Sequence, residues 1–259
     1  MGFKAFKNRD RKGTIIFIHG NSSSSRVFDT VMTSDDIPYS KIAVDLPGHG
    51  ENQENYDKIE DFTLSRFIDK CVDFINTIDN EILLVGNSLG GHLIIEAAQK
   101  INNLKGVVIF GTPPVKYPIN LDEIYLPNKE LQIYFTETPS LEDIYKMSKI
   151  AVFEDKYADL IVSDFQKTNP LVRAAIASSL GDLTDEYEIF KNLQVPRYII
   201  AGRQDPSVNL EYLKEVQKCC NGKCELIMFE KCGHYPSLEK PEEFISVIQN
   251  ISSEVFTSS

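Results

Sequence analysis

Four polar positions in this chain carry groups suited to acyl transfer, and each closes a short apolar run: Asn21 in His19-Gly20-Asn21, then Ser88, Asp205 and His234. A serine hydroxyl is a weak nucleophile at neutral pH and needs a base to take its proton. Histidine suits that task because its pKa lies near the working pH. A carboxylate that accepts from the far ring nitrogen holds the imidazole in one tautomer. These residue types predict Ser88 as nucleophile, His234 as base and Asp205 as the orienting acid. A tetrahedral oxyanion needs two fixed donors. The N–H of Leu89, at the start of a helix, and the N–H of Asn21 are the candidates.

Each role has rivals. Of the four histidines, His19 braces the loop that carries Asn21, and His49 sits in a Pro-Gly turn with a structural part. His92, one turn into the helix after Ser88, either lines the pocket floor as a substrate contact or packs there. Among the acids, Asp45 ends an earlier strand, Asp182 and Asp185 precede one, and Glu230 lies too close to His234 in sequence. Asp205 is the better orienter.

These groups need a scaffold that delivers them to one edge. Glu81 to Val85 reads as a strand buried on both faces, followed by Gly86-Asn87-Ser88-Leu89-Gly90 and a helix-forming series through Ala98. Further buried-strand runs are Thr14 to Ile18, Lys41 to Asp45, Val107 to Phe110, Pro196 to Gly202 and Glu225 to Phe229. Apolar residues from Leu64 to Ile78 recur at three- and four-residue steps and predict an amphipathic helix over 63–78. A short helix through Val27 to Met32 and helices around Leu210 to Val216 and after Pro241 complete the alternation. Strand–helix alternation implies a parallel sheet with helices on both faces, and functional groups in such sheets gather at the carboxyl ends of the strands. Residues 1–12 form at most one short edge strand. From 115 to 190 no buried strand is evident; helical patterns and aromatics dominate, with a helix from Leu171 to Leu180 stopped by Gly181. We expect a core of 1–114 and 191–259 and a helical cap, or lid, of 115–190.

Composition narrows the partners. The chain has 259 residues, 42% hydrophobic and 25% charged, enough for one α/β domain with an insertion. A net charge of −11 repels phosphate backbones and anionic lipid, so neither a nucleic acid nor a membrane is an expected partner. The opening residues hold no apolar leader, and no apolar run approaches ~18 residues. The five cysteines form no paired Cys-x-x-Cys; without a leader they read as reduced thiols of a cytoplasmic protein. No metal or cofactor is expected.

Gly86-Asn87-Ser88-Leu89-Gly90 between strand and helix, His19-Gly20, Asp45-Leu46-Pro47-Gly48-His49-Gly50, Asp205, and Gly233-His234 before Pro241-Glu242-Glu243-Phe244 resemble the α/β-hydrolase superfamily over nearly the whole chain. The order Ser, Asp, His matches its triads. The Ser at 88 separates the chain from haloalkane dehalogenases and epoxide hydrolases, whose elbow carries Asp. A narrower set, His19-Gly20-Asn21-Ser22-Ser23-Ser24, Ser88-Leu89-Gly90-Gly91-His92, Gly111-Thr112-Pro113-Pro114-Val115 and Gly202-Arg203-Gln204-Asp205-Pro206, is similar to metal-free N-acyl-homoserine lactonases of this fold. That resemblance implies cleavage of an ester or lactone with an apolar acyl group, an oxyanion and lactone contact at Asn21, and a cap tyrosine on the lactone head, matched by Tyr145. General carboxylesterase, C–C bond hydrolysis and ligand reception are the alternatives the fold also hosts. Two features depart from the pattern: Asn87 stands where that group can carry an aromatic, and the superfamily's N-terminal hairpin is shortened or missing.

Overall fold

The structure is a computed structural model that describes residues 2–6, 12–53 and 56–257. The strands are β1 (Gly2–Phe6), β2 (Thr14–Ile18), β3 (Ser40–Asp45), β4 (Ile82–Asn87), β5 (Leu104–Phe110), β6 (Arg197–Gly202) and β7 (Cys224–Phe229). They form one sheet in the order β1-β3-β2-β4-β5-β6-β7. Only β1 runs antiparallel, pairing Gly2 with Asp45 and Phe6 with Lys41; the rest are parallel. The single edge strand expected near the N-terminus is thus present, and the remainder of the expectation for 1–12 falls largely on residues outside those described.

Alternation along the strands sorts side chains between two cores, because successive residues face opposite sides of a sheet. Ile16, Ile18, Leu84, Val107, Ile109 and Ile199 enter one core. Ile15, Phe17, Leu83, Val85, Val108 and Phe110 enter the other. The first face is covered by α2 (Leu64–Ile75), which buries Leu64, Phe67, Cys71 and Ile75, by α3 (Leu89–Ala97), and by helices that follow. The second is covered by α1 (Asp29–Thr33) and, at the far end of the chain, by a helix that buries Phe244, Ile248 and Ile251. This is the expected parallel α/β architecture with helices on both faces.

Residues 115–190 contain α4 (Leu121–Ile124), α5 (Leu141–Ala151), α6 (Ala158–Lys167), α7 (Pro170–Ser179) and the start of α8 (Glu186–Asn192), which runs past the expected boundary at 190, and no named strand among the described residues. Ile144, Met147, Val162 and Phe165 of α5 and α6 make a small apolar cluster of their own. By contrast, Val172 and Ile176 of α7 and Tyr187 and Phe190 of α8 join the first sheet core. Gly181 does not cap α7 as expected: the helix ends at Ser179, and a short 3-10 turn, Leu180–Asp182, contains the glycine. After β6 come α9 (Leu210–Cys219), α10 (Pro236–Glu239) and α11 (Pro241–Thr257), the last opened by its proline as expected. Among the described residues no helix is long and apolar enough to cross a membrane.

Candidate active site

The turn from β4 into α3 is held by close backbone contact. A Cβ on Gly86 would lie 2.5 Å from the Gly90 carbonyl oxygen, and one on Gly90 would lie 2.2 Å from that of Ile18. Neither position admits a side chain, so strand, turn and helix can approach this tightly only with glycine. Ser88 sits at the apex with φ 50° and ψ −118°, a region that costs a non-glycine residue about 1–3 kcal/mol. Its N–H donates to the Phe110 carbonyl at 2.9 Å, and its own carbonyl accepts from Gly91 N–H at 2.8 Å and Thr112 Oγ1 at 2.9 Å. The side chain is half-buried, and among the described residues its hydroxyl has no hydrogen-bond partner within the protein.

Asp205 follows β6 in a loop and is buried. Its Oδ2 accepts from His234 Nδ1–H at 2.8 Å; its Oδ1 accepts from Ser207 N–H at 2.8 Å and from Ser207 Oγ at 2.7 Å. Burial opposes the charge on Asp205, but the attraction of His234 and these hydrogen bonds win, and its pKa lies below the usual carboxylate value. Burial likewise works against a charged His234, yet the Asp205 carboxylate overcomes it and raises the imidazole above its ordinary 6.5. The His234 carbonyl accepts from Asn87 Nδ2 at 3.3 Å, which ties the base to the residue before Ser88. Gly111, at φ +60°, lies against the ring: a Cβ there would meet His234 Cε1 at 2.6 Å.

The loop after β2 is braced by two neutral histidines. Leu46 N–H donates to His19 Nε2 at 3.1 Å, so the proton of His19 resides on Nδ1, which donates to the Gly20 carbonyl at 2.8 Å. His49 repeats the pattern, accepting from Ser22 N–H at Nε2 and donating to the Pro47 carbonyl. Burial lowers the pKa of both, outweighing the Asp45 charge at His19 and joined by His19 itself at His49. Asp45, the rival acid, receives the N–H groups of Ser25 at 2.7 Å and Glu51 at 3.1 Å and holds this loop. Among the described residues the N–H groups of Asn21 and Leu89 donate to no backbone acceptor; that of Leu89 is one of the free donors of a helix start. The Asn21 side chain, however, donates from Nδ2 to the Tyr134 carbonyl at 2.6 Å.

Two further expected contacts are placed differently from each other. His92 uses both ring nitrogens, Nδ1 at 2.7 Å from Glu186 Oε2 and Nε2 at 3.1 Å from the Tyr125 hydroxyl. Tyr145 is not brought to this group: it is 41% exposed on α5, and its hydroxyl donates to Asp159 at 3.2 Å. Tyr134 of this region does reach the site, through its carbonyl on Asn21 and its hydroxyl 2.8 Å from that of Tyr235. Sequence reasoning does not single out Ser207 or Tyr134; only Ser207, two residues after Asp205, has a local signal.

The sequence matches the family described as "Alpha/beta hydrolase family" over residues 15–247. A Mycoplasma genitalium protein named as an esterase/lipase is 25% identical, over 94% of this chain and 90% of that one. The pimeloyl-[acyl-carrier protein] methyl ester esterase of Pseudoalteromonas atlantica is 22% identical, over 89% and 90%. Among solved structures, N-acyl homoserine lactonase AidH complexed with N-hexanoyl homoserine lactone is similar at a TM-score of 0.83 and 23% identity, over 96% of this chain and 92% of that chain. A thermophilic esterase from Thermogutta terrifontis is similar at 0.79 and 17%, over 98% and 93%. At these identities the structural likeness concerns the fold.

Proposed function

The chain belongs to the alpha/beta hydrolase family, and from that premise we propose that it is a serine hydrolase that cleaves a carboxylic ester or lactone through an acyl-enzyme. The observation that carries this reading is the buried Asp205–His234 pair at 2.8 Å, joined through Asn87 to the strained Ser88 turn. Ser88 Oγ attacks the carbonyl carbon while His234 Nε2 takes its proton. The oxyanion is held by the N–H groups of Leu89 and Asn21. The imidazolium, supported by Asp205, returns the proton to the departing alkoxide, and a water activated by His234 then releases the acid and restores Ser88.

Within this class we favour N-acyl-homoserine lactones, the substrate of a quorum-quenching hydrolase. The support is the run of matching residues at 19–24, 88–92, 111–115 and 202–206. On a lactone the alcohol released from the acyl-enzyme carbonyl stays tethered to the acyl group. Residues 115–190 then serve as the cap over a core of 1–114 and 191–259, and apolar side chains there set the acyl preference. The esterase names of the curated relatives favour a second reading, a general carboxylesterase.

The test is labelling by a fluorophosphonate probe with a panel of lactones, aryl esters and thioesters. Wild type should be labelled and turn over at least one class; Ser88→Ala should do neither. A folded wild type that resists labelling overturns the hydrolase reading. Turnover of aryl esters without lactone opening selects the carboxylesterase.

A further inference from the structure

Cys220 and Cys224 meet across one tight turn. Cys220 caps the end of α9 and Cys224 opens β7, with Asn221-Gly222-Lys223 between them. Gly222, at φ +79°, takes the left-handed conformation that reverses the chain there. Gln217, in the last turn of α9, donates from Nε2 to the Cys224 carbonyl at 3.2 Å, so the end of the helix lies beside the start of the strand. Both cysteines are half-buried and pack against the first sheet core. Their thiols hydrogen-bond to each other. Cys219, next in the chain and exposed, is engaged elsewhere: its thiol pairs with the Tyr187 hydroxyl of α8.

Arg197, the first residue of β6 and fully buried, holds this turn. It stands beside Cys224 in the register of β6 and β7. Its guanidinium donates to the carbonyls of Phe190 at 2.9 Å and Lys191 at 2.7 Å, and to those of Asn221 and Lys223 in the turn. The Asn221 N–H donates to the Lys191 carbonyl at 2.9 Å. None of these acceptors carries a charge, so the positive charge of Arg197 is left to act on the thiols of the turn. The Cys220 thiol is held below its ordinary pKa, first by the hydrogen bond from Cys224 and then, against burial, by the charges of Arg197 and Lys191. The same contact, joined by burial, pushes Cys224 upward, and it stays a thiol. Burial raises the Cys71 thiol to about 12 and leads the causes that raise Cys232.

A thiolate next to a thiol is the arrangement of a peroxide-reactive pair, one sulfur to attack and one to resolve. We propose that Cys220 and Cys224 form a reversible disulfide when the protein meets hydrogen peroxide, with Cys220 as the attacking sulfur and Cys224 as the resolving one. Cys220 Sγ attacks a peroxide oxygen: an S–O bond forms, the O–O bond breaks, and the departing hydroxide regains, as water, the proton that Cys220 gave up. Cys224 Sγ then attacks the sulfenic sulfur: the S–S bond forms, the S–O bond breaks, and the oxygen leaves as water with the Cys224 proton. The peroxide is reduced to water and the thiols are oxidised; an added dithiol reverses the change. Because α9 runs from the loop of Asp205 and β7 runs to the loop of His234, the cross-link ties together, at their far ends, the elements that carry the proposed acid and base.

The test treats the reduced full chain with a stoichiometric amount of hydrogen peroxide, blocks the remaining thiols with iodoacetamide and maps the peptides. Trypsin cuts after Lys218, Lys223 and Lys231, so the disulfide should join residues 219–223 to 224–231, in wild type and in Cys219→Ser alike. Cys220 should disappear faster than Cys71 and Cys232 by about tenfold or more, and dithiothreitol should restore both thiols of the pair. In Cys224→Ala, Cys220 should stop at the sulfenic acid, read as a dimedone adduct; if that variant folds poorly, mapping of wild type and Cys219→Ser decides alone. Oxidation in urea should erase the difference in rate. A bond to Cys219 in place of Cys220, oxidation of all thiols at one rate in the folded chain, or the same selectivity in urea overturns the proposal.

Discussion

Glu239 Oε2 accepts a hydrogen bond from the N–H of Gly233 at 2.9 Å, so the backbone just before His234 hangs from a buried carboxylate. The same side chain receives Tyr235 N–H at 3.0 Å on Oε1 and Phe153 N–H at 2.7 Å on Oε2. One residue therefore fixes the chain on both sides of the base and ties the stretch after α5 to it. Glu239→Gln keeps the shape but replaces one acceptor oxygen with a donor nitrogen, which then faces a backbone N–H. We expect a loss of about 1–3 kcal/mol in urea unfolding and a fall in kcat exceeding any rise in KM, as the imidazole loses its aim.

Ser88 combines a proposed chemical role with a backbone conformation that suits glycine, φ 50° and ψ −118°. Ser88→Gly should therefore abolish fluorophosphonate labelling and raise stability by about 1 kcal/mol, measured by chemical unfolding. A loss of about 1 kcal/mol, the entropy cost of glycine alone, would show that the turn stores no strain.

The Asp205–His234 pair makes stability and activity depend on pH in opposite ways. His234 is raised above 6.5, so its contribution to stability is complete below that value and is lost as pH rises through the folded pKa. Asp205 is lowered below 3.8, so its contribution is present above that value and lost as pH falls through its folded pKa. The stability gap between wild type and Asp205→Asn should be widest between these ordinary values, at about pH 5, and smaller at about pH 9. Activity needs a neutral base, so kcat/KM should climb with pH through the raised His234 pKa. In Asp205→Asn that limb should move to lower pH, and the maximum should fall by roughly 10³–10⁴.

Asn21 joins the loop after β2 to the 3-10 turn Glu130–Phe135 through its bond to the Tyr134 carbonyl. Asn21→Ala keeps the backbone N–H assigned to the oxyanion but cuts this tether. Hydrogen–deuterium exchange over 130–135 should rise by about tenfold, while the sheet strands keep their protection.

The sequence by itself was enough to mark where β2, β4, β6 and β7 end, because each is a short run of buried apolar residues stopped by polar or glycine-rich turn residues. Ser88, Asp205 and His234 are proposed because they follow those stops, and the same reasoning anticipates the bracing of its loop by His19. These are local signals, carried by neighbours in the chain. Residues 115–190 were legible only as helix. Which of their helices joined the sheet core and which formed a separate cluster depended on packing between segments far apart in sequence. Tyr145 shows the limit: composition offered several tyrosines, and only the placement of α5 turned this one outward, while Tyr134 met Asn21 across 113 residues. Glu186 meets His92 across 94 residues and leaves no periodic or motif trace in either stretch. A hydrogen bond between distant elements is set by how the chain returns to the sheet. The tertiary structure alone decided those partners, and with them which side chains stand behind the proposed nucleophile.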